Sequence, residues 1–314
     1  MRVLFAGSPS IAVPALERLF SLPQDVCEII GVLTNPDTPQ GRGQLCEATD
    51  IAKAAAKWGA PVLKPEKLDA STREAVGALS PDILVSFAYG RIFGPKFLAL
   101  FPRGGINVHP SLLPKHRGAS PIQAALLNMD AKTGVSIQYL AREMDSGDIL
   151  LQEELPLTGR ETTAGLSEVI SQKAARLLEK ALINIAAGSV TSTPQNNADA
   201  TFCRVLTKQD GCIDWNMSAQ AIDARIRAFY PWPLAWTRHN GTRLFILEAH
   251  PLEIDAVGVA GDILRADKQH GILVKTGNRG VLAITKLQFE TKKVLDWKSF
   301  LNGARDFLGT RFET

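Results

Sequence analysis

Arg2-Val-Leu-Phe-Ala6 is an unbroken apolar run, Gly7-Ser-Pro-Ser10 turns the chain, and Ile11 to Phe20 carries apolar residues at helical spacing. Glu28-Ile-Ile-Gly-Val-Leu-Thr34 reads as a second buried strand. Strand, turn, helix and strand in that order make a βαβ unit, the building block of a parallel sheet. The turn lacks Gly-x-Gly-x-x-Gly spacing, so a dinucleotide site is disfavoured although the fold is of that kind. Asp82 to Phe87 and Gly105 to His109 are further strand-like runs. The fold class expected for this half is α/β.

Working outward, the stretch with most chemistry is Asn107-Val-His-Pro-Ser-Leu-Leu-Pro-Lys-His-Arg-Gly-Ala-Ser-Pro121. Asn107 and His109 are two apart on a strand, so their side chains leave the same face. Open α/β sheets place their chemistry at strand carboxyl ends. A histidine accepts a proton near neutral pH, and an asparagine N–H stabilises a developing oxyanion. Asp145, in the loop Ala141-Arg-Glu-Met-Asp-Ser-Gly-Asp148, is a carboxylate able to support the imidazole. No serine or cysteine sits in a nucleophile motif, and no metal-ligand cluster is visible. The set suits direct attack by a substrate's own nucleophile on an activated carbonyl. On the residues alone, a structural His109 and a turn-forming Asp145 remain the plainer reading.

Asn35-Pro-Asp-Thr-Pro-Gln-Gly-Arg-Gly-Gln-Leu45 reads as a long loop after the second strand. Arg42, between two glycines, can approach a phosphate, although an ordinary solvated loop fits as well. Asp50 to Trp58 is predicted helical with Asp50 as N-cap, and Leu68 to Leu79 is a further helix. Ala88-Tyr-Gly-Arg91 follows a strand, where Gly90 lets backbone approach a planar ligand or serves a plain turn. Gly134 to Leu140 and Ile149 to Glu154 read as strands, and Thr163 to Ala187 as a long amphipathic helix covering the sheet. Ser189 to Ala200 is polar and reads as a linker. Beyond it come a helix at about Ala219 to Ala228 and five short strands punctuated by Gly241, Gly261, Gly271 and Gly280. That pattern predicts a small OB-like β-barrel. The expected division is 1–188, a linker at 189–204, and 205–314.

The 314 residues suffice for two domains, and 45% hydrophobic with 21% charged residues is ordinary for a soluble protein. No apolar run reaches a membrane span, and no signal-peptide pattern precedes the first strand. A cytoplasmic location is expected. Residues 1–204 carry 20 basic and 20 acidic residues while 205–314 carry 15 and 12, so the net charge of +3 lies in the C-terminal third. A polyanionic partner there fits, as does a solvated surface. Cys27, Cys46, Cys203 and Cys212 lack zinc-site spacing and read as reduced structural thiols.

The 107–121 stretch and Met144-Asp-Ser-Gly-Asp-Ile149 resemble the signatures of the folate-dependent formyltransferases. The resemblance runs from Met1 to about Phe289. It implies a Rossmann-like parallel sheet, 10-formyltetrahydrofolate as formyl donor, no metal, and an active site of Asn107, His109 and Asp145. Phe87, Ala88, Tyr89, Gly90, Arg91 and Ile92 match the stretch that holds the pterin in that family. Ser111, Leu112, Leu113 and Pro114 match the turn beside the folate. Within the family, the loop around Arg42 is similar to that of members acting on methionyl-tRNA, where the matching arginine serves tRNA recognition. Lys208-Gln-Asp-Gly-Cys-Ile-Asp-Trp215 and Ile226-Arg-Ala-Phe-Tyr-Pro-Trp-Pro233 also look like theirs. Gln44 and Leu45 stand where such members often carry two lysines, which removes two phosphate contacts. The resemblance implies a monomer acting on initiator methionyl-tRNA in translation initiation. An amino-sugar formyltransferase and a non-catalytic RNA-binding module are the rival readings.

Overall fold

The computed structural model describes residues 1–40, 45–278, 280–304 and 306–313. Arg42, with Gly41, Gly43 and Gln44, lies outside the described residues. In chain order the strands are β1 (Arg2–Gly7), β2 (Glu28–Leu33), β3 (Thr38–Gln40), β4 (Leu45–Glu47), β5 (Val62–Leu63), β6 (Ile83–Phe87), β7 (Gly105–His109), β8 (Arg117–Gly118), β9 (Lys132–Tyr139), β10 (Ile149–Pro156), β11 (Phe202–Cys203), β12 (Ala235–His239), β13 (Thr242–Leu252), β14 (Ile263–Asp267), β15 (Gly271–Lys275), β16 (Val281–Phe289) and β17 (Leu295–Asp296). The helices are α1 (Val13–Phe20), α2 (Asp50–Lys57), α3 (Ala70–Ala78), α4 (Pro95–Leu98), α5 (Pro121–Leu127), α6 (Thr163–Ala186), α7 (Ala219–Ala228) and α8 (Trp297–Gly303). The chain divides into two compact units. The first holds Met1–Pro121, Lys132–Pro156 and Ser167–Arg204; the second holds Ile122–Ala131, Leu157–Leu166 and Val205–Thr314.

The first unit is built on a seven-stranded sheet in the order β10-β9-β7-β6-β1-β2-β5. The five strands from β7 to β5 are parallel, and β9 and β10 extend the sheet antiparallel beyond β7. Parallel strands are covered on both faces, which is why β1 and β6 are apolar runs and almost wholly buried. From β1 the chain proceeds outward through β2 to β5, then returns to β6 and continues the other way to β7. This reversal puts a switch point between β1 and β6, beside β7, where such sheets open a crevice.

Helix α1 buries Ala15, Leu16 and Leu19 on one face. Each leucine contributes about 1.5–3 kcal/mol relative to exposure. In α2 the cap is Thr49 rather than Asp50, because the Thr49 hydroxyl accepts the Ala52 N–H at 3.1 Å. Removing such a cap typically costs about 1 kcal/mol. The expected loop at 35–45 is partly structured, since β3 and β4 pair as an antiparallel ladder.

The polar stretch 189–204, expected as a linker, is bonded into the first unit. Thr193 bridges Ile149, and β11 pairs in parallel with β8. Apolar burial is not needed to fix such a stretch when its backbone groups find partners.

The second unit carries an antiparallel sheet in the order β12-β13-β16-β15-β14, with β17 on β16. Its core gathers Trp215, Ile222, Ile226, Leu244, Ile246, Ile284, Phe300 and Phe312. Trp215 donates its indole N–H to the Thr237 hydroxyl at 3.0 Å, which lets a polar tip enter that core. Trp236 is buried and Trp232 is exposed. Among the described residues β12 and β14 do not pair, so the ladder is open and a closed barrel is not seen. Isolated bridges join Arg238 to Glu313 and Asp262 to Arg311. Helix α8 has no counterpart in the sequence reading; Asp296 caps it by accepting the Lys298 and Ser299 N–H groups. Among the described residues, no helix is long and apolar enough to cross a membrane.

Candidate active site

Strand β7 presents Asn107 and His109 on one face, as their spacing requires. Neighbouring strands add polar groups to that face. Asn107 is paired with Ser86 on β6 and Gln138 on β9, and His109 with Ser136. Asn107, His109, Ser86, Gln138 and Ser136 are five polar residues gathered on neighbouring strands of a largely apolar sheet, the kind of buried polar cluster that marks a candidate site.

Asp145 reaches this face by an indirect route. Strand β9 ends at Tyr139, opposite Ile106 near the start of β7, and the following loop folds back. Asp145 has φ 54°, a left-handed conformation that aspartate tolerates better than most residues. Gly147 makes the return possible, because a side chain there would collide with the Tyr139 carbonyl oxygen.

The Asp145 carboxylate is held from several sides. Its Oδ1 accepts from Gln138 Nε2 at 2.9 Å and from Asn107 Nδ2 at 3.4 Å. Its Oδ2 accepts the Gly118 N–H at 2.8 Å and lies 3.5 Å from His109 Nδ1. Gly118 sits at φ 120°, and any side chain would strike the Cys203 carbonyl oxygen. That close approach belongs to the pairing of β8 with β11.

His109 is 4% exposed, and its Nε2 lies 2.9 Å from the carbonyl oxygen of His116. A carbonyl only accepts, so Nε2 carries the hydrogen and Nδ1 keeps a lone pair toward Asp145. Burial pushes the imidazole pKa below its usual 6.5, against an opposing pull from Asp145 and from the His116 carbonyl. The ring is therefore neutral at pH 7 and basic at Nδ1.

Burial also lowers the pKa of His239 and His250. Each of these three histidines binds a proton more readily unfolded than folded. Stability from this source is complete above the unfolded pKa of about 6.5 and falls as pH drops toward the folded values. The thermal midpoint is expected to decline between pH 7 and pH 5. A midpoint that stays level or rises over that interval, measured by calorimetry, contradicts the buried neutral histidines.

The loops after β6 and β7 leave adjacent strand ends, since Phe87 pairs with Val108. Their residues divide by exposure. Phe87, Tyr89, Ser111 and Leu113 are buried, whereas Ala88, Gly90 and Ile92 are exposed. The Tyr89 ring stacks on Phe93 at 5.3 Å inside an apolar cluster. Arg91 donates to the Pro65 carbonyl at 2.9 Å and also to that of Glu66. Ser111 donates to the Lys115 carbonyl, and the Leu113 N–H donates to Ser136. Leu112 and Pro114 are half-buried. The exposed residues of these two stretches up to Pro114 are therefore Ala88, Gly90 and Ile92.

Several supporting residues escaped the sequence reading. Asn35 donates to the Tyr89 carbonyl at 2.9 Å and to the Ser8 hydroxyl, tying the ends of β1 and β2 to the loop after β6. Gln138 and Gln195 hold Asp145 and its loop. Ser136 and Gln138, two apart in the alternating run Gly134 to Leu140, fall on one face, and that spacing was the available signal for Gln138. Among the described residues no group of three or more His, Cys, Asp or Glu side chains forms a metal site.

An α/β unit with this strand-end cluster, followed by an antiparallel-sheet unit, is matched by the formyl transferases. The chain matches the formyl transferase model over residues 1–182 and the formyl transferase C-terminal domain model over 205–305. It belongs to the formyl transferase family, within the methionyl-tRNA formyltransferase group. The methionyl-tRNA formyltransferase of Treponema denticola is 46% identical over 100% of both chains, and that of Borreliella burgdorferi is 40% identical over 100% of this chain and 99% of its own. Among solved structures, the fold is similar to the sugar 3N-formyl transferase WlaRD, with a TM-score of 0.66 and 17% identity over 93% of this chain and 99% of that one. It is also similar to HypX from Aquifex aeolicus in complex with tetrahydrofolic acid, with a TM-score of 0.63 and 16% identity over 98% of this chain and 48% of that one.

Proposed function

We propose that the protein transfers the formyl group of 10-formyltetrahydrofolate to the α-amine of initiator methionyl-tRNA, giving N-formylmethionyl-tRNA for translation initiation. The observation that carries the chemistry is the convergence of Asn107, His109 and Asp145 on one sheet face. The relatives' shared name supports the acceptor.

The free amine attacks the formyl carbon, and a tetrahedral intermediate forms. Nitrogen gains a positive charge as its bond to carbon forms, and it must lose a proton. His109 Nδ1, neutral and facing Asp145, takes that proton or passes it on. The resulting imidazolium lies beside a carboxylate, which offsets its burial. The Asn107 N–H groups stabilise the oxyanion, assisted by His109 once protonated. Collapse breaks the carbon–N10 bond, and the proton goes to the departing nitrogen. The product is a formamide, and tetrahydrofolate leaves.

The loops after β6 and β7 fit a folate. They adjoin the switch point and the proposed catalytic face, and their exposed backbone at Ala88 and Gly90 can pair with a flat heterocycle. Residues 1–188 serve as the catalytic domain and 205–314 as a tRNA-binding domain. The two isolated bridges toward the C-terminus support an OB-like reading of the latter.

Arg42 selects the acceptor in this reading. Arg42→Ala is expected to weaken methionyl-tRNA binding about tenfold while folate binding stays within about twofold, with a shallower salt dependence. Equal loss of both ligands by titration argues against that role. The fold neighbours include sugar formyltransferases, so a sugar acceptor is the rival. The acceptor is tested by supplying 10-formyltetrahydrofolate with either methionyl-tRNA or a dTDP-amino sugar. Formylation of the tRNA alone supports the proposal, and formylation of the sugar alone overturns it.

A further inference from the structure

We infer that Gln195, on the polar stretch 189–204, is a positioning residue that sets the Asp145 carboxylate against His109. The inference rests on the reading of His109 and Asp145 as the proton-handling pair.

The stretch 191–199 lies on the surface, and every residue in it is exposed except Gln195. Gln195 turns inward and meets the back of the Asp145 loop. Its Nε2 lies 2.9 Å from the Asp145 carbonyl oxygen, 2.7 Å from that of Gly147 and 3.2 Å from the side-chain oxygen of Gln138. Its Oε1 accepts from Arg117 Nε at 3.0 Å and Nη2 at 2.8 Å. Arg117 is 4% exposed, and Nη2 also donates to Asn197 Oδ1 at 2.9 Å.

These contacts run in one direction. Arg117 can only donate, so it fixes the oxygen of Gln195 toward itself. The Gln195 NH₂ then faces Gln138, which fixes the oxygen of that amide. The Gln138 NH₂ is left pointing at Asp145 Oδ1. A guanidinium charge at one end thus orients two amides, and the last one donates to the carboxylate at the other end. Hydrogen bonds in such a chain reinforce one another. The same Gln195 NH₂ anchors the carbonyls on either side of Ser146, so the loop and its carboxylate are held by one group.

A fixed surface strap would need only the Arg117 contact. The chain needs the donors of Gln195. Gln195→Glu separates the two, because it keeps size and an acceptor for Arg117 but places a carboxylate against three carbonyl-type oxygens. With methionyl-tRNA and 10-formyltetrahydrofolate, kcat is expected to fall about tenfold to a hundredfold while both KM values stay within about twofold. The acid limb of the kcat–pH profile is expected to shift, because the carboxylate acts on the proton affinity of His109. A loss of folded protein alone lowers amplitude and leaves the limb in place. Wild-type kcat, or a reduced kcat with an unmoved acid limb, overturns the inference. If Gln195→Glu does not fold, Gln138→Leu breaks the final link and is expected to show the same split of kcat from KM. Asn107→Ala is measured alongside. If it too keeps full turnover, the catalytic reading itself has failed, whereas loss there with normal Gln195 and Gln138 variants removes only the positioning role.

Discussion

Asp145→Asn is expected to lower turnover about a thousandfold, equivalent to about 4 kcal/mol in the barrier. Three losses combine. The carboxylate that supports the protonated imidazole becomes neutral. The single amide oxygen cannot serve both Gln138 and Gly118, whose donors approach opposite oxygens of Asp145. The new NH₂ group must face one of those donors, which leaves a buried donor unpaired at about 1–3 kcal/mol. The Asp145 charge also holds the His109 pKa up against burial. Without it that pKa falls further, so the acid limb of the rate–pH profile is expected to move to lower pH while the plateau drops. A limb that moves upward, or turnover within tenfold of wild type in a folded variant, contradicts the role.

Asn107→Ala is expected to cost about a hundredfold or more in kcat, the usual effect of losing one oxyanion donor. Asn107 is half-buried, on a central strand, and its Nδ2 donates to Asp145 Oδ1 at a long 3.4 Å. Removing the side chain leaves Asp145 with its Gln138 and Gly118 donors, so the fold is expected to persist. The thermal midpoint should change by only a few degrees, as for a small loss in a large domain. Turnover near wild type in that folded variant would show that Asn107 does not stabilise the transition state. Full loss of structure would assign it to the scaffold instead.

Much of the first unit was legible because parallel strands are buried on both faces. Val3 to Ala6 is apolar throughout, Gly105 to His109 alternates apolar or small residues with Asn107 and His109, and the two runs end at Gly7 and Pro110. The Asn107 and His109 pair was legible for a geometric reason, since spacing by two needs no tertiary information. Asp145 is different. Its meeting with His109 depends on a loop that leaves beside Ile106 and folds back, enabled by a left-handed aspartate and by Gly147. Local pattern does not encode that path; the residues alone offered Asp145 as a candidate carboxylate or a turn former, and the resemblance to known formyltransferases implied the active-site role.

The aromatic stretch after β6 carries a related lesson. Phe87 and Tyr89 resemble a binding wall by position, yet their rings lie in the core, and the exposed residues are Ala88, Gly90 and Ile92. Periodicity does not tell which side of a turn an aromatic takes. The stretch 189–204 has the composition of a linker, but hydrogen bonding from Arg117, Gln195 and Thr193 holds it against the first unit. Polarity in a sequence reports solvent and hydrogen-bonded burial alike. In the second unit the strands were legible from their glycine punctuation, whereas closure depends on distant pairing.

The most direct test follows a labelled formyl group from 10-formyltetrahydrofolate to the α-amine of methionyl-tRNA, using the intact protein and His109→Asn at equal folded concentration. The account predicts labelled N-formylmethionyl-tRNA with the intact protein and at least about a hundredfold less with His109→Asn. Equal label transfer by both proteins, or none by the intact protein, would contradict it.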